Sequence, residues 1–216
     1  MFNDKAIARF RGPWGVPIEI GSSLPLLILI ILMANGSPSL FVISFVVVII
    51  ASIFLHELGH AWGCIVQGIP VTRVMIYGGG GFCLPARAPS HREDELIVAM
   101  GPIVNIALWA LASLSTPLVE GGALSVILWQ IKVVNLALFG LNMLPVQPLD
   151  GGKLLHLALL RFMPPLPALK ITGFVGLIIS ILWIPAMVMV WFSLGFFILF
   201  MPKILLHWAM FRAKRR

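Results

Sequence analysis

The stretch Phe54-Leu55-His56-Glu57-Leu58-Gly59-His60 places two histidines and a glutamate inside an apolar run from Leu40 to Val66. A run of that length predicts a membrane-spanning helix, which needs about twenty apolar residues. Each ionisable group inside a bilayer costs roughly 3 kcal/mol by insertion scales, so this cluster indicates compensating contacts or a role. The stretch therefore predicts a membrane fold and a functional centre within it.

The spacing of the histidines indicates a metal site. His56 and His60 are one helical turn apart, about 6 Å along the axis, so both imidazoles can bind one ion. Two neutral imidazoles favour zinc, and we expect one Zn2+ per chain. Glu57 lies beside that ion and is the predicted catalytic base, because a carboxylate there can take a proton from the attacking water. A chance match to HExxH is disfavoured by the cost of burying these groups.

Composition extends the membrane prediction to the whole chain. Of its 216 residues, 60% are hydrophobic and 11% are charged, unlike a soluble domain. We predict an all-α polytopic membrane protein, a single domain over residues 1–216, with about six transmembrane helices. The predicted spans are residues 20–34, 40–67, 96–114, 123–144, 169–184 and 186–206. Pro185 separates the last two, because one helix over 169–206 would overshoot a core about 30 Å thick; a single kinked excursion is the alternative.

The basic residues predict the orientation of these spans. Of the 15 lysines and arginines, Lys132 lies within the fourth span and the others fall on one side of the six-span arrangement. By the positive-inside rule both termini are cytoplasmic, in a bacterial or archaeal cell membrane. Glu19 and the glycines around it separate the first basic residues from the first apolar run, so we expect no cleaved signal peptide.

The net charge of +7 follows the same topology, so we expect a lipid bilayer and no nucleic acid as a partner. Residues 207–216 are predicted to be a basic cytoplasmic tail lying against anionic headgroups.

A third protein ligand is needed, because catalytic zinc sites usually have three. The candidates for this third ligand are acidic and thiol side chains, namely Asp150, Glu93, Asp94, Glu95, Glu120, Cys64 and Cys83. Glu120 falls on the wrong side, the acidic residues at 93–95 lie in a hydrophilic stretch, and the cysteines are typical packing residues. Asp150 is favoured, because Pro145 and Pro148 break the chain at the cytoplasmic end of the fourth span.

The pair of motifs, HELGH at 56–60 and Asn142-x-x-Pro145-x-x-Pro148-Leu149-Asp150-Gly151, resembles the signature of the site-2 protease family of intramembrane metalloproteases. The likeness runs from Gly15 to about Arg161, with a three-helix catalytic core at about residues 40–161. It implies that His56, His60 and Asp150 bind zinc and that Glu57 is the general base. No PDZ or CBS domain is expected, so the chain resembles a minimal member.

Four residues are predicted to support the site or bind substrate. The resemblance gives Asn142 a role in holding the substrate backbone or the metal-site loop; a cap of local backbone groups is the alternative. Asn105 faces either the active cavity or a neighbouring helix. Gly79 and Gly80 follow a β-favouring segment, Val71 to Tyr77, which is either a membrane-associated strand that pairs with substrate or a bare linker.

The resulting functional prediction is an intramembrane zinc metalloprotease that cleaves single-pass transmembrane substrates. A membrane transporter or channel with a metal-ion relay is an alternative, since ionisable residues in membranes also mark transport paths. An inactive protease homologue that binds membrane helices is another.

Overall fold

Helices dominate the fold, and one small sheet accompanies them. The computed structural model describes residues 4–34, 39–194 and 200–214. The strands in these residues are β1 Ala6–Arg11, β2 Pro17–Gly21, β3 Val71–Tyr77 and β4 Gly80–Pro85. The helices are α1 Ser23–Ala34, α2 Leu40–Ile65, α3 His91–Ser115, α4 Gly122–Asn142, α5 Asp150–Leu160, α6 Pro165–Leu194 and α7 Ile204–Phe211. The chain consists of two compact units, Met1–Gly140 and Leu141–Arg216.

The sheet belongs to the first unit and has the strand order β1-β2-β3-β4. Strands β2 and β3 are parallel, and the outer pairings are antiparallel. The strand predicted at Val71 to Tyr77 is confirmed as β3. The sequence prediction missed β1 and β2. Strand β2 ends at Gly21 and so includes the first two residues of the predicted span 20–34, whereas β1 precedes that span. A buried carboxylate ties the sheet together, because Glu19 on β2 pairs with Arg9 at 3.0 Å and Arg73 at 3.1 Å.

Close helix packing in the first unit joins α2 to α3. Ser39 caps the N-terminus of α2 by accepting from the Val42 amide at 3.3 Å, and Ser90 and Glu93 form a capping box on α3. A Cβ on Gly59 would lie 2.7 Å from the Met100 carbonyl oxygen, and one on Gly63 would lie 2.9 Å from the Ile97 Cα. Small residues therefore let the two backbones touch, as helices in lipid commonly do.

The apolar helices agree with the membrane class. Among the described residues, four helical stretches are long and apolar enough to cross a bilayer: Leu40–Ile65, His91–Leu118, Gly122–Asn142 and Pro165–Val190. Helix α1 has 12 residues and rises about 18 Å, short of a core about 30 Å thick. The count of six spans stays a prediction.

The predicted division at Pro185 is wrong. Helix α6 runs without a break for 30 residues through that proline. A proline removes only one backbone donor, and neighbouring groups can compensate for it in a transmembrane helix. Part of the predicted sixth span, and residues 215 and 216 of the predicted tail, lie outside the described residues.

The chain beyond α6 returns along it within the second unit. Trp183 donates from Nε1 to the Phe200 carbonyl at 2.8 Å, and the rings of Phe174 and Phe211 pack 5.5 Å apart. Residues 207–211 of the predicted basic tail are thus part of helix α7, and His207 is fully buried. Leu205, Leu206 and Trp208 of the same helix are exposed, and the placement of the tail against anionic headgroups stays a prediction.

We expect the Gly63→Ala variant to unfold more easily than the wild type. Its new methyl must displace the α3 backbone, and overpacking of this kind costs about 1–3 kcal/mol. Gly140→Ala is the matched control, because Gly140 is a helical glycine with open space around its Cβ position. Thermal unfolding in detergent measures both. Equal stability of the two variants would contradict the close approach of α2 and α3.

Candidate metal centre

Three chemically active side chains converge on one side of helix α2. His56, Glu57 and His60 are buried, and their nearest ligand atoms all lie within 4.8 Å of one another. In the described residues this is the one cluster of its kind. The helical spacing places the imidazoles on adjacent turns, so the sequence prediction of this arrangement matches the structure.

The two histidines direct the same nitrogen atom at each other. Their Nε2 atoms lie 3.1 Å apart, while the Nδ1 atoms point away toward other partners. A tetrahedral zinc ion with ordinary Zn–N bonds separates two ligand nitrogens by about 3.3 Å. The imidazole pair is therefore already at the distance that one ion requires.

The hydrogen-bond partner of His60 fixes its tautomer. Nδ1 lies 2.7 Å from the Ile97 carbonyl oxygen, which can only accept. Nδ1 therefore carries the proton. In the neutral imidazole this leaves a lone pair on Nε2, where a metal would bind.

A chain of buried amides fixes the tautomer of His56. Asn135 on α4 donates from Nδ2 to the Ile131 carbonyl at 2.9 Å, so its Oδ1 must face Asn105, whose Nδ2 donates to it at 2.9 Å. The Oδ1 of Asn105 then faces Nδ1 of His56 at 2.6 Å and accepts its proton. Asn135 also donates to the Ser52 hydroxyl at 2.9 Å. Lone pairs consequently remain on both Nε2 atoms, and a cation between them would relieve their repulsion.

Two glycines keep the space beside these atoms open. A Cβ on Gly101 of α3 would overlap His60 Nε2 and lie 2.7 Å from His56 Cε1. A Cβ on Gly81 of β4 would lie 2.8 Å from Glu57 Oε1. Any larger residue at either position would occupy the surroundings of the ligand atoms or of the carboxylate. The donor set and the space around it fit a zinc ion.

The other predicted site residues fall in different places. Asn105 is fully buried between helices, where it contacts Nδ1 of His56 on α2 and Asn135 on α4, and its predicted role at the active cavity stays a prediction. Asp150 is the first residue of α5 and Asn142 the last of α4, both in the second unit, and their roles at the metal stay predictions. Gly80 has a φ of +121°, and Gly79 lies against the Tyr77 ring in the β3–β4 turn. Gly81, rather than these two, adjoins Glu57.

Three residues that the sequence analysis rejected as zinc ligands lie in other surroundings. Glu93 caps α3 and pairs with Arg87 at 2.6 Å, and Glu120 is exposed. Cys64 is fully buried in an apolar cluster with Ile69 and Ile97.

Sequence reasoning missed Asn135, Ser52, Gly81 and the packing of Gly101 against the imidazoles. A signal for Asn135 existed, because an amide in an apolar span needs a buried partner. Nothing in the sequence indicated which partner.

Comparisons with known proteins agree with this geometry. The sequence model of Peptidase family M50 matches residues 44–122. The chain is 27% identical over 167 residues to a zinc metalloprotease of Methanocaldococcus jannaschii, covering 75% of this chain and 48% of that protein. It is 35% identical over 124 residues to the putative zinc metalloprotease Rip3 of Mycobacterium tuberculosis, covering 53% and 30%. Each match thus spans less than half of the curated relative.

A solved structure shares the fold. The site-2 protease from Methanocaldococcus jannaschii superposes with a TM-score of 0.66 at 23% identity, covering 94% of this chain and 91% of that one. This likeness confirms the predicted mainly helical membrane fold with a small sheet.

We expect Asn105→Leu to weaken zinc binding 10- to 100-fold, as loss of an outer partner of a ligating histidine typically does. The change removes the acceptor that holds the His56 Nδ1 proton. Competition with a fluorescent zinc chelator measures the affinity. Gln130→Leu is the control, because Gln130 is equally buried but donates to Phe41 at the start of α2. An equal loss in both variants would contradict the orienting role.

Proposed function

We propose that this chain, which belongs to the site-2 protease family of zinc metalloproteases, hydrolyses peptide bonds in or near the transmembrane segment of single-pass membrane proteins. One observation carries the proposal. Two metal-ready Nε2 atoms and a buried carboxylate lie within a helix long and apolar enough to cross a bilayer. Peptide hydrolysis is the reaction that this set of groups suits.

His56 and His60 would hold the zinc ion through Nε2, and Asp150 is the proposed third protein ligand. When bound, zinc supplies Lewis-acid activation of water and of the scissile carbonyl. Glu57 accepts a proton from the attacking water and delivers it to the leaving amine nitrogen, so it acts first as a base and then as an acid. Gly81 leaves the approach to the Glu57 carboxylate open for the scissile peptide.

The substrate must arrive unwound, because the carbonyls of an intact helix are hydrogen-bonded. Strand β4 forms one edge of the sheet, and its Gly81 adjoins Glu57. An extended substrate segment that pairs with this edge would recover its backbone hydrogen bonds while lying beside the base. Gly79 and Gly80 would then help to shape the turn at the entrance. Helix-destabilising residues near the cut are expected in substrates.

The cytoplasm is the proposed source of water and the destination of the product. In the predicted orientation both termini are cytoplasmic, and His56 and His60 lie in the cytoplasmic half of α2. Since α7 packs beside the first half of α6, Arg212 at the end of α7 returns toward the level at which α6 begins.

Glu57→Gln is expected to bind zinc as the wild type does but to lose proteolysis, because an amide cannot accept the proton. Purified protein in proteoliposomes, mixed with a single-span substrate carrying a glycine–proline pair in its helix, tests this by mass spectrometry of the products. Wild-type cleavage should stop with a zinc chelator and return with zinc. Normal turnover by the glutamine variant, or chelator-resistant cleavage, would exclude the proposed mechanism.

Asp150→Asn is expected to weaken zinc binding by at least tenfold, since the anionic ligand becomes a neutral amide. The matched control is Glu120→Gln, which makes the same kind of change at an exposed carboxylate. Chelator competition on both variants gives the result without reference to proteolysis. Unchanged zinc affinity in Asp150→Asn would remove Asp150 from the ligand set.

A further inference from the structure

A fully buried histidine outside the metal cluster contacts the loop that precedes Asp150. His207 on α7 accepts at Nε2 from the backbone amide of Gln147, at 3.0 Å. Gln147 lies three residues before Asp150, between the two prolines of the second motif. All of these residues belong to the second unit.

The surroundings of His207 fix its protonation state. Nδ1 lies 2.9 Å from the Lys203 carbonyl oxygen, which can only accept, so Nδ1 carries the proton. The Ser180 hydroxyl, 3.4 Å from Nδ1, is already used as a donor to the Gly176 carbonyl. The imidazole is therefore neutral, and Nε2 is free to accept from Gln147.

Two glycines on α6 make room for this imidazole. A Cβ on Gly176 of α6 would overlap the His207 ring, and a Cβ on Gly173 would lie 2.9 Å from the His207 carbonyl oxygen. Both glycines therefore allow α7 to approach α6 closely enough for the ring to reach the loop. Both nitrogens of this buried imidazole have hydrogen-bond partners, as buried polar groups in folded proteins usually do.

The same loop is pressed against the first turn of α5. A Cβ on Gly152 would lie 2.7 Å from the Gln147 nitrogen, and one on Gly151 would lie 2.6 Å from the Leu144 carbonyl oxygen. The Gln147 amide thus contacts the His207 ring and also lies close to Gly152. A displacement of this amide would move the turn that begins with Asp150.

We infer that His207 is a positioning residue that sets Asp150 for metal binding, through the hydrogen bond from Gln147. The inference rests on the proposed function, because it assigns His207 to the proposed third zinc ligand. No proton moves and no bond forms in this role. The imidazole supplies one fixed hydrogen-bond acceptor, Nε2, for the Gln147 amide.

Two substitutions separate the acceptor from the bulk of the side chain. In His207→Asn the amide can still donate near the Nδ1 position, toward Lys203, but nothing reaches Gln147. In His207→Gln the amide oxygen can reach the Nε2 position and accept from Gln147. His156→Asn is the matched control, because His156 in the same unit contacts Thr172 of α6 at 3.3 Å.

The experiment measures zinc affinity by chelator competition, kcat and KM on the single-span substrate, and the midpoint of thermal unfolding. We expect His207→Asn to bind zinc 10- to 100-fold more weakly. Its kcat should fall on the order of 100-fold with a smaller change in KM, as small misplacements at a catalytic centre do. His207→Gln should recover most of both quantities, and His156→Asn should match the wild type.

Two results would overturn the inference. One is wild-type zinc affinity in His207→Asn. The other is an equal loss in the asparagine and glutamine variants together with equal loss of thermal stability, which would make His207 a packing residue only. Failure of the proposed function can be distinguished from these results. If the wild type binds zinc but cleaves no substrate, the zinc affinities of the wild type and the variants can still be compared.

Discussion

The rest of the structure depends on one constraint, that a polar group buried among apolar helices must have a partner. The chain of amides from the Ile131 carbonyl through Asn135 and Asn105 to His56 meets this constraint in one direction only. Reversing any amide would set two donors or two acceptors face to face, which costs more in a low-dielectric interior than in water. The same constraint thus binds three helices together and places the His56 proton on Nδ1. Stability and chemistry share one set of hydrogen bonds.

Glycines provide the space in which these polar contacts are made. Gly101 and Gly81 leave room beside the imidazoles and the Glu57 carboxylate. In the second unit, Gly152 and Gly176 admit the Gln147 backbone and the His207 ring. A side chain would meet an imidazole ring at Gly101 and at Gly176 and backbone at Gly152, whereas at Gly81 it would meet the Glu57 side chain. Each glycine is therefore fixed by what approaches it rather than by its own backbone angles.

Sequence reasoning failed at Pro185 and at the first two strands, for different physical reasons. Pro185 indicated a break, but α6 continues through it, because one missing donor is tolerated when the remaining helix is hydrogen-bonded within itself. Strands β1 and β2 gave no signal of their own. Strand β2 pairs with β3, more than fifty residues away, and β1 pairs with β2. Glu19 of β2 forms ion pairs with both Arg9 and Arg73. The segment predicted as a basic tail contains the buried His207, because a charge pattern does not show which residues a helix packs against.

Hydropathy and helical spacing are local properties of the chain, so the amino-acid sequence was enough to establish the membrane class and the HExxH cluster and to predict Glu57 as the base. The α-helix brings His56, Glu57 and His60 together whatever else the protein does. The three-dimensional structure was needed to show which partners the imidazole nitrogens have, which glycines lie beside them, and which residue contacts the loop before Asp150. Those features depend on partners from other helices, and a hydrogen bond between segments distant in sequence leaves no periodic trace in either of them.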